Sequence, residues 1–246
     1  MTKETNETIK PQSMLTFSGR YVDVTKPRAS DIDIIDIALA LGNINRFTGH
    51  AGPYTVADHS VLVSRLVPQE LAAEALLHDA HEAYLGDIST PVKRALGHEI
   101  GAYEAAWDAA IRKALLPEPS WVELDDVDLL FKKHNAIKVA DRQALWVEKT
   151  FILGCADDWG RGAVKPTGAS ERVAVKYWWD GLVQAGLRSP SSRAKEEGLE
   201  SCFRFLLRAI DLGIAEAKDV NRVWDRVAIT GVNAAVLRQE YLTAPA

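Results

Sequence analysis

The stretch LLHDAHEAYLGDISTPVKR, from Leu76 to Arg94, begins as the apolar side of a core helix. It then sets two histidines and three carboxylates (His78, Asp79, His81, Glu82 and Asp87) into ten residues. On an α-helix, residues three and four apart share a face. Glu82 follows His78 by four positions and Asp79 by three, so one helical turn would aim an imidazole and two carboxylates into one volume. Leu76, Leu77 and Ala80 are core positions by pattern, and a charge buried among them without a partner is very costly. A divalent cation removes that cost, because neutral imidazole and carboxylate are its common ligands.

Other helices should supply the remaining ligands. His59 lies inside an otherwise apolar helical pattern, one turn after Thr55 and one before Val63. Asp141 falls on the apolar stripe of a later helix, four residues after Ile137 and four before Leu145. Each has an ordinary explanation alone. A lone buried histidine is usually satisfied by a hydrogen bond, and a stray Asp can reflect a misjudged helix phase. Together with the 78–82 cluster they are misplaced for plain packing and well placed for a shared metal.

The rest of the chain describes a helical protein. Its 246 residues allow one sizeable domain, or one with a small appendage. The hydrophobic fraction is 47% and the charged fraction 26%, as in water-soluble globular chains. A net charge of -5 argues against broad binding to nucleic acid or anionic membranes. Cys155 and Cys202 fit neither a disulfide framework nor a thiolate metal site, which favours an intracellular, cytoplasmic setting. Neither a signal-peptide apolar stretch nor an apolar run of membrane-spanning length is present.

Residues 1–13 read as disordered, and TFSGRYVDV as a short strand or hairpin around its Gly. Ser30 is the expected N-cap of a helix running to Gly42, and Thr55 that of VADHSVLVSRLV. ELAAEALLHDAHEAYL is the next expected helix, stopped by Gly86. DISTPVKRALG reads as a loop leading into a short helix. Further helices are expected over IGAYEAAWDAAIRKALL, ended by PEPS, and from about Glu123 to Phe151. Cys155–Ser170 is rich in Gly and Asp, and RSPSSR (Arg188–Arg193) is a polar break. Beyond it, Leu199, Phe203, Leu206 and Ile210 form one helical stripe and Val220, Val223, Trp224 and Val227 another. The expected division is a main domain over 14–187 and accessory helices over 195–246, which either stand apart or return to the main body.

The order His59, then His78-Asp79, then Asp141 resembles the H…HD…D signature of the HD-domain metal-dependent phosphohydrolases. The closer likeness is to 5′-deoxynucleotidases and related phage deoxynucleotide phosphohydrolases. In that branch the HD pair is followed by a Glu three residues later, a Gly-Asp and Thr-Pro-x-Lys, and an Arg-aromatic pair precedes the first His. Here these are Glu82, Gly86-Asp87, Thr90-Pro91-Val92-Lys93 and Arg46-Phe47. The likeness covers about residues 14 to 150, and says nothing of 165–246. The aromatic is Phe47 where bacterial monophosphatases usually carry Trp. Phe keeps a flat face for a sugar but lacks the indole donor.

The resemblance implies an all-α HD-domain helical bundle, here with a short N-terminal β-hairpin and extra C-terminal helices. It implies a divalent metal (Mn, Co, Ni, Fe or Zn, with Mg also open) held by His59, His78, Asp79 and Asp141. Glu82 and Asp87 would be the acid–base residues. Arg46, Phe47 and Lys93 would grip the nucleotide, Arg by bidentate phosphate contact and Lys as a point charge. His81 reads as a supporting or surface residue rather than a ligand, and His50 has no firm role. The implied partner is a small-molecule nucleotide, without membrane or stable nucleic-acid binding. The branch commonly forms dimers or larger rings, so a homo-oligomer is open. A phage origin would place the protein in the host cytoplasm. Monophosphate and triphosphate substrates both remain open, with Arg65 and Arg94 available to a triphosphatase. A guanosine-tetraphosphate hydrolase is the enzymatic alternative, although HDAHEAY lacks that family's acidic pair. The non-enzymatic alternative is a regulatory or interaction module using the C-terminal helices with Trp178, Trp179 and Trp224.

Overall fold

The computed structural model describes residues 12–96, 99–117, 127–154, 163–184 and 194–228. Outside these residues lie positions 1–11, most of the PEPS break, the start of the helix expected from Glu123, Cys155, the RSPSSR break and residues 229–246. Among the described residues the chain is mostly helical, with one two-stranded hairpin. Strands β1 (Ser13–Leu15) and β2 (Tyr21–Asp23) pair antiparallel with Met14 opposite Val22, so Ser13 is already in a strand rather than in a disordered leader.

The first helix starts later than Ser30. Residues 29–31 form a single tight turn, and α1 (Ile34–Asn43) is capped by Asp33, whose carboxylate accepts from the Ile35 amide at 3.2 Å. Asp33 stands directly before the apolar run and reaches a free helix N–H, which Ser30 is too far upstream to do. Thr55 does cap α2 (Val56–Leu66), its side-chain oxygen accepting from the Asp58 amide at 3.2 Å.

Every residue of α2 except Arg65 is buried. A helix buried all round must lie between other elements, and α2 lies between two apolar cores. Val56, Ala57 and Val61 belong to the larger one, with residues of α1, α6 (Glu99–Leu115), α9 (Ala194–Asp211) and α10 (Ala217–Ala228). Leu62, Val63 and Leu66 belong to the second, with Ile137, Ala140, Ala144 and Val147 of α7 (Val127–Phe151) and Trp178 of α8 (Ala169–Gln184).

The helix expected across the HD pair is broken. It divides into α3 (Ala72–Leu76) and α4 (Glu82–Leu85), separated by a tight coil over residues 77–81. There the backbone bonds reach three residues back: Ala80 N to Leu77 O (3.0 Å) and Glu82 N to Asp79 O (3.0 Å). In such a three-residue turn, positions i and i+3 eclipse. Asp79 and Glu82 therefore stack on one side. Gly86, at φ 79°, ends α4 in a conformation that suits glycine. After it, the stretch expected to be a loop is itself helical from Thr90: α5 spans Thr90–Leu96, inside DISTPVKRALG rather than after it. Trp107 of α6 is fully buried, stacks on Tyr84 at 3.9 Å between centroids and donates to Val24 O, tying α6 to α4 and the hairpin.

The stripe of α9 packs onto α1 and α2 rather than facing solvent. Phe203, Phe205 and Leu206 are fully buried, and Phe203 stacks on Trp224 of α10 at 4.3 Å. A polar link accompanies the apolar one: Asp58, buried at the start of α2, accepts from Ser201 Oγ (2.7 Å) and Arg204 Nε (2.7 Å). The described C-terminal helices thus share the larger core with α1, across the division expected between 187 and 195. Cys202 sits in that core, where burial pushes its thiol pKa up. No helix among the described residues is long and apolar enough to cross a membrane.

Candidate metal centre

His59 projects from the middle of α2 and is fully buried. His78 and Asp79 lie in the tight coil after α3, which faces α2. One ligand atom from each of these three residues lies within 4.8 Å of the others, so His59, His78 and Asp79 form a group that could hold a metal ion. Asp79 Oδ2 is 3.1 Å from His78 Nε2 and 3.5 Å from His59 Nε2. Asp141 of α7 brings Oδ1 to 3.2 Å from His59 Nε2.

The donor set and its surroundings fit a cation. The Nδ1 of His78 bonds to Ala75 O at 2.8 Å, and the Nδ1 of His59 bonds to Glu148 Oε1 at 2.5 Å. Both Nε2 atoms are buried and aligned with no hydrogen-bond partner, although carboxylate oxygens stand within 3.1–3.5 Å. An imidazole whose Nδ1–H is engaged presents Nε2 as its lone-pair nitrogen, the usual arrangement of metal-binding histidine. Two imidazoles with carboxylates suit a divalent transition ion better than calcium.

The histidines and carboxylates of the cluster shift one another's protonation strongly. Burial alone would lower the His78 pKa, but the adjacent Asp79 carboxylate outweighs it and holds His78 at about 9. Asp79 is correspondingly kept well below the usual carboxylate range, the attraction of His78 and His59 exceeding the cost of burial. His59 is raised despite burial and the nearby Arg46 charge, chiefly by Glu148 and Asp141.

The α7 side of the centre centres on Glu148, seven residues and two turns after Asp141. Glu148 is fully buried, meets His59 Nδ1 with Oε1 at 2.5 Å, and accepts from Tyr54 Oη (2.9 Å) and from Arg46 Nη2 (3.1 Å). Burial would raise its pKa, yet Arg46, His59 and Tyr54 hold it at about 2. Arg46 also turns Nη1 toward Asp79 at 3.8 Å. The loop after it is strained: Phe47 and Thr48 both adopt left-handed backbone, φ 55° and 54°. Such conformations cost roughly 1–3 kcal/mol each and are kept only where surroundings enforce them. Here Arg46 N bonds to Tyr54 O at 2.9 Å and Asn45 bridges to Thr55, closing the loop at its neck. The Arg46 guanidinium sits 5.4 Å from the Phe47 ring centroid, so the dipeptide forms one cationic and aromatic unit at the edge of the cluster.

The α4 side is different. Glu82 is buried, and its Oε2 has no hydrogen-bond partner. Burial, with Asp79 and Asp87 nearby, raises its pKa to about 9. Asp87 lies just beyond Gly86, partly buried. Lys93 of α5 is held by Glu104 of α6 at 2.7 Å rather than projecting freely. His81 is buried, and its Nδ1 bonds to Asp108 Oδ1 of α6 at 2.9 Å, so its partners in the structure are on α6 and not among the proposed ligands. His50 is exposed.

Sequence reasoning missed Glu148, Tyr54 and the α6 pair Glu104 and Asp108. A signal for Glu148 existed: at i+7 from Asp141 it repeats that residue's helical face. Nothing in the sequence points to Tyr54, or to α6 as the partner of His81 and Lys93.

No family model matches the chain. Over 99 residues it is 52% identical to the uncharacterized protein YfdR of Escherichia coli, a match covering 40% of this chain and 55% of that protein. The chain thus spans about half the length of that relative. Over 155 residues it is 34% identical to the uncharacterized protein RCAP_rcc00048 of Rhodobacter capsulatus, covering 57% of this chain and 72% of that protein. With this identity over nearly three quarters of the Rhodobacter protein, the chain belongs to the same family as RCAP_rcc00048.

Proposed function

We propose that this chain is a metal-dependent phosphohydrolase of the HD class that releases phosphate or polyphosphate from deoxynucleotides. The observation that carries the reading is the pair of buried, unpartnered Nε2 atoms of His59 and His78 converging on Asp79, with Asp141 beside them. A bound ion there would lower the pKa of water and polarise a phosphoryl oxygen. His59, His78, Asp79 and Asp141 would hold it. Glu82 keeps a proton through neutral pH, on a buried carboxyl with one oxygen unpartnered, and serves as the acid–base group. Asp87 assists it from the turn after Gly86. Arg46 supplies the phosphate-facing cation and Phe47 a flat surface for the sugar, while Lys93, steadied by Glu104, adds a second positive charge.

The test is a phosphate- and polyphosphate-release screen. All deoxynucleoside mono-, di- and triphosphates, their ribose counterparts and guanosine tetraphosphate would each be tried with Mn, Co, Ni, Fe, Zn and Mg. Release from deoxynucleotides that stops on chelation is the expected result. Turnover of guanosine tetraphosphate alone would move the assignment to the alternative hydrolase class. Silence with every substrate and metal would remove the hydrolase reading.

A further inference from the structure

The unassigned carboxylate behind His59 carries a second conclusion, which rests on the metal-binding reading just proposed. We infer that Glu148 is the positioning residue of this centre: it fixes the His59 ring in the Nδ1–H tautomer, leaving Nε2 as a lone pair aimed at the cluster, and it anchors Arg46 with its other oxygen.

Three geometric facts support this. First, α7 grips one imidazole at both ends. Asp141 faces Nε2 at 3.2 Å and Glu148, two turns on, meets Nδ1 at 2.5 Å. Second, the direction of donation is set by the other partners. Arg46 can only donate, and it donates to Oε2 at 3.1 Å, while the Tyr54 hydroxyl donates to Oε1 at 2.9 Å. Glu148 therefore acts as an acceptor, and the opposite His59 tautomer would press a nitrogen lone pair against Oε1. Third, His59 and Glu148 are both fully buried, so bulk water cannot stand in for either partner. Glu148 also ties α7 to α2 and the Tyr54 loop, which by itself would be an ordinary structural role. A structural role alone would change stability and leave the ring's tautomer and its metal affinity untouched.

The experiment uses the full chain. Long-range proton–nitrogen NMR on the chelator-treated wild type, at a pH where the ring is neutral, reads which nitrogen of His59 bears the proton. Nδ1–H is expected. Titration with Mn²⁺ and Co²⁺ then compares wild type with Glu148→Gln. The variant keeps the shape of the side chain, and its affinity should fall about 10–100-fold, the usual cost of losing an outer partner of a metal-binding histidine. Tyr54→Phe, which removes a donor to the same oxygen but leaves the His59 contact, should keep the tautomer. A wild-type proton on Nε2 overturns the inference even if Glu148→Gln does not fold. So does a folded Glu148→Gln with wild-type affinity. A wild type that takes up neither ion overturns the metal reading instead, and the tautomer alone then decides the role of Glu148.

Discussion

Two buried glutamates border the cluster, Glu148 against His59 and Glu82 beside Asp79, and they have opposite surroundings. On the α7 side, Glu148 has three hydrogen-bond partners and is held at about pKa 2. On the α4 side, Glu82 faces two carboxylates and has an oxygen with no partner, so its pKa rises to about 9. Burial pushes both groups the same way, so the neighbours decide the sign. A carboxylate saturated with donors is locked and serves the scaffold. One left short of donors holds a mobile proton, as acid–base chemistry requires. In the proposed hydrolase, the α7 side would do the holding and the α4 side the reacting.

The largest expected effect comes from removing the residue between the two sides. Asp79 Oδ2 lies within 3.5 Å of both Nε2 atoms. Asp79→Ala should abolish both metal uptake and phosphate release while far-UV circular dichroism stays helical. Equal metal content in variant and wild type, by elemental analysis, would show that the cluster is not the binding site. Next comes Glu82→Ala, expected to retain the metal and lose turnover by about 10²–10⁴, the range for a positioned acid–base group. If the metal leaves with the activity, Glu82 is a ligand and the division into holding and reacting sides is wrong.

The sequence revealed the inner cluster better than its support. His59, His78, Asp79 and Asp141 were legible because a titratable group on an apolar helical stripe conflicts with packing, and four such conflicts in one chain point to a common cause. The backbone around them was not. A continuous helix was expected from Glu70 to Leu85, and every residue there except the HD pair and its neighbours supports one. The local pattern cannot show that residues 77–81 take three-residue turns while the His78 ring bonds back to Ala75 O. Long-range partners were equally hidden. Ser201 and Arg204 meet Asp58 across more than 140 positions, and Glu104 meets Lys93 from a different helix. Periodicity tells which face of a helix is buried and not what lies opposite it. The cap of α1 failed for a local reason: Ser30 and Asp33 are both good capping residues, and only the position of the first free N–H separates them.

Arg46 tests the boundary between the two sides, since one guanidinium nitrogen meets Glu148 and another turns toward Asp79. Arg46→Ala should raise KM for every phosphorylated substrate through loss of a charge-assisted contact worth about 1.5–3 kcal/mol, or roughly 10–150-fold. Metal content should hold. Arg46→Lys keeps the charge but not the two-pronged geometry, and should recover only part of the loss. Unchanged kinetics in Arg46→Ala would confine this arginine to neutralising Glu148 and remove it from substrate binding.

The smallest effect is also the most direct test of the comparison, because it asks for opposite signs from one chemical change. A carboxyl raised from its ordinary 4.5 to about 9 binds more protons in the folded chain than in the unfolded one across that window. Stability then declines as pH rises from about 4.5 to 9. Glu82→Gln cannot ionise and escapes that decline, so in chelator-treated protein it should melt higher than wild type at pH 7, with the gap widening toward pH 9. Glu148 works in reverse. Its pKa is lowered from 4.5 to about 2, so its contribution is fully present above 4.5 and is lost as pH falls toward 2. Glu148→Gln should melt lower at pH 7, with the deficit shrinking in acid. Each kcal/mol moves Tm by about 2–4 °C in a chain of this size, well within reach of a thermal melt. Shifts of the same sign at pH 7 would mean that the two glutamates share one environment, and the contrast between a holding side and a reacting side would fall with it.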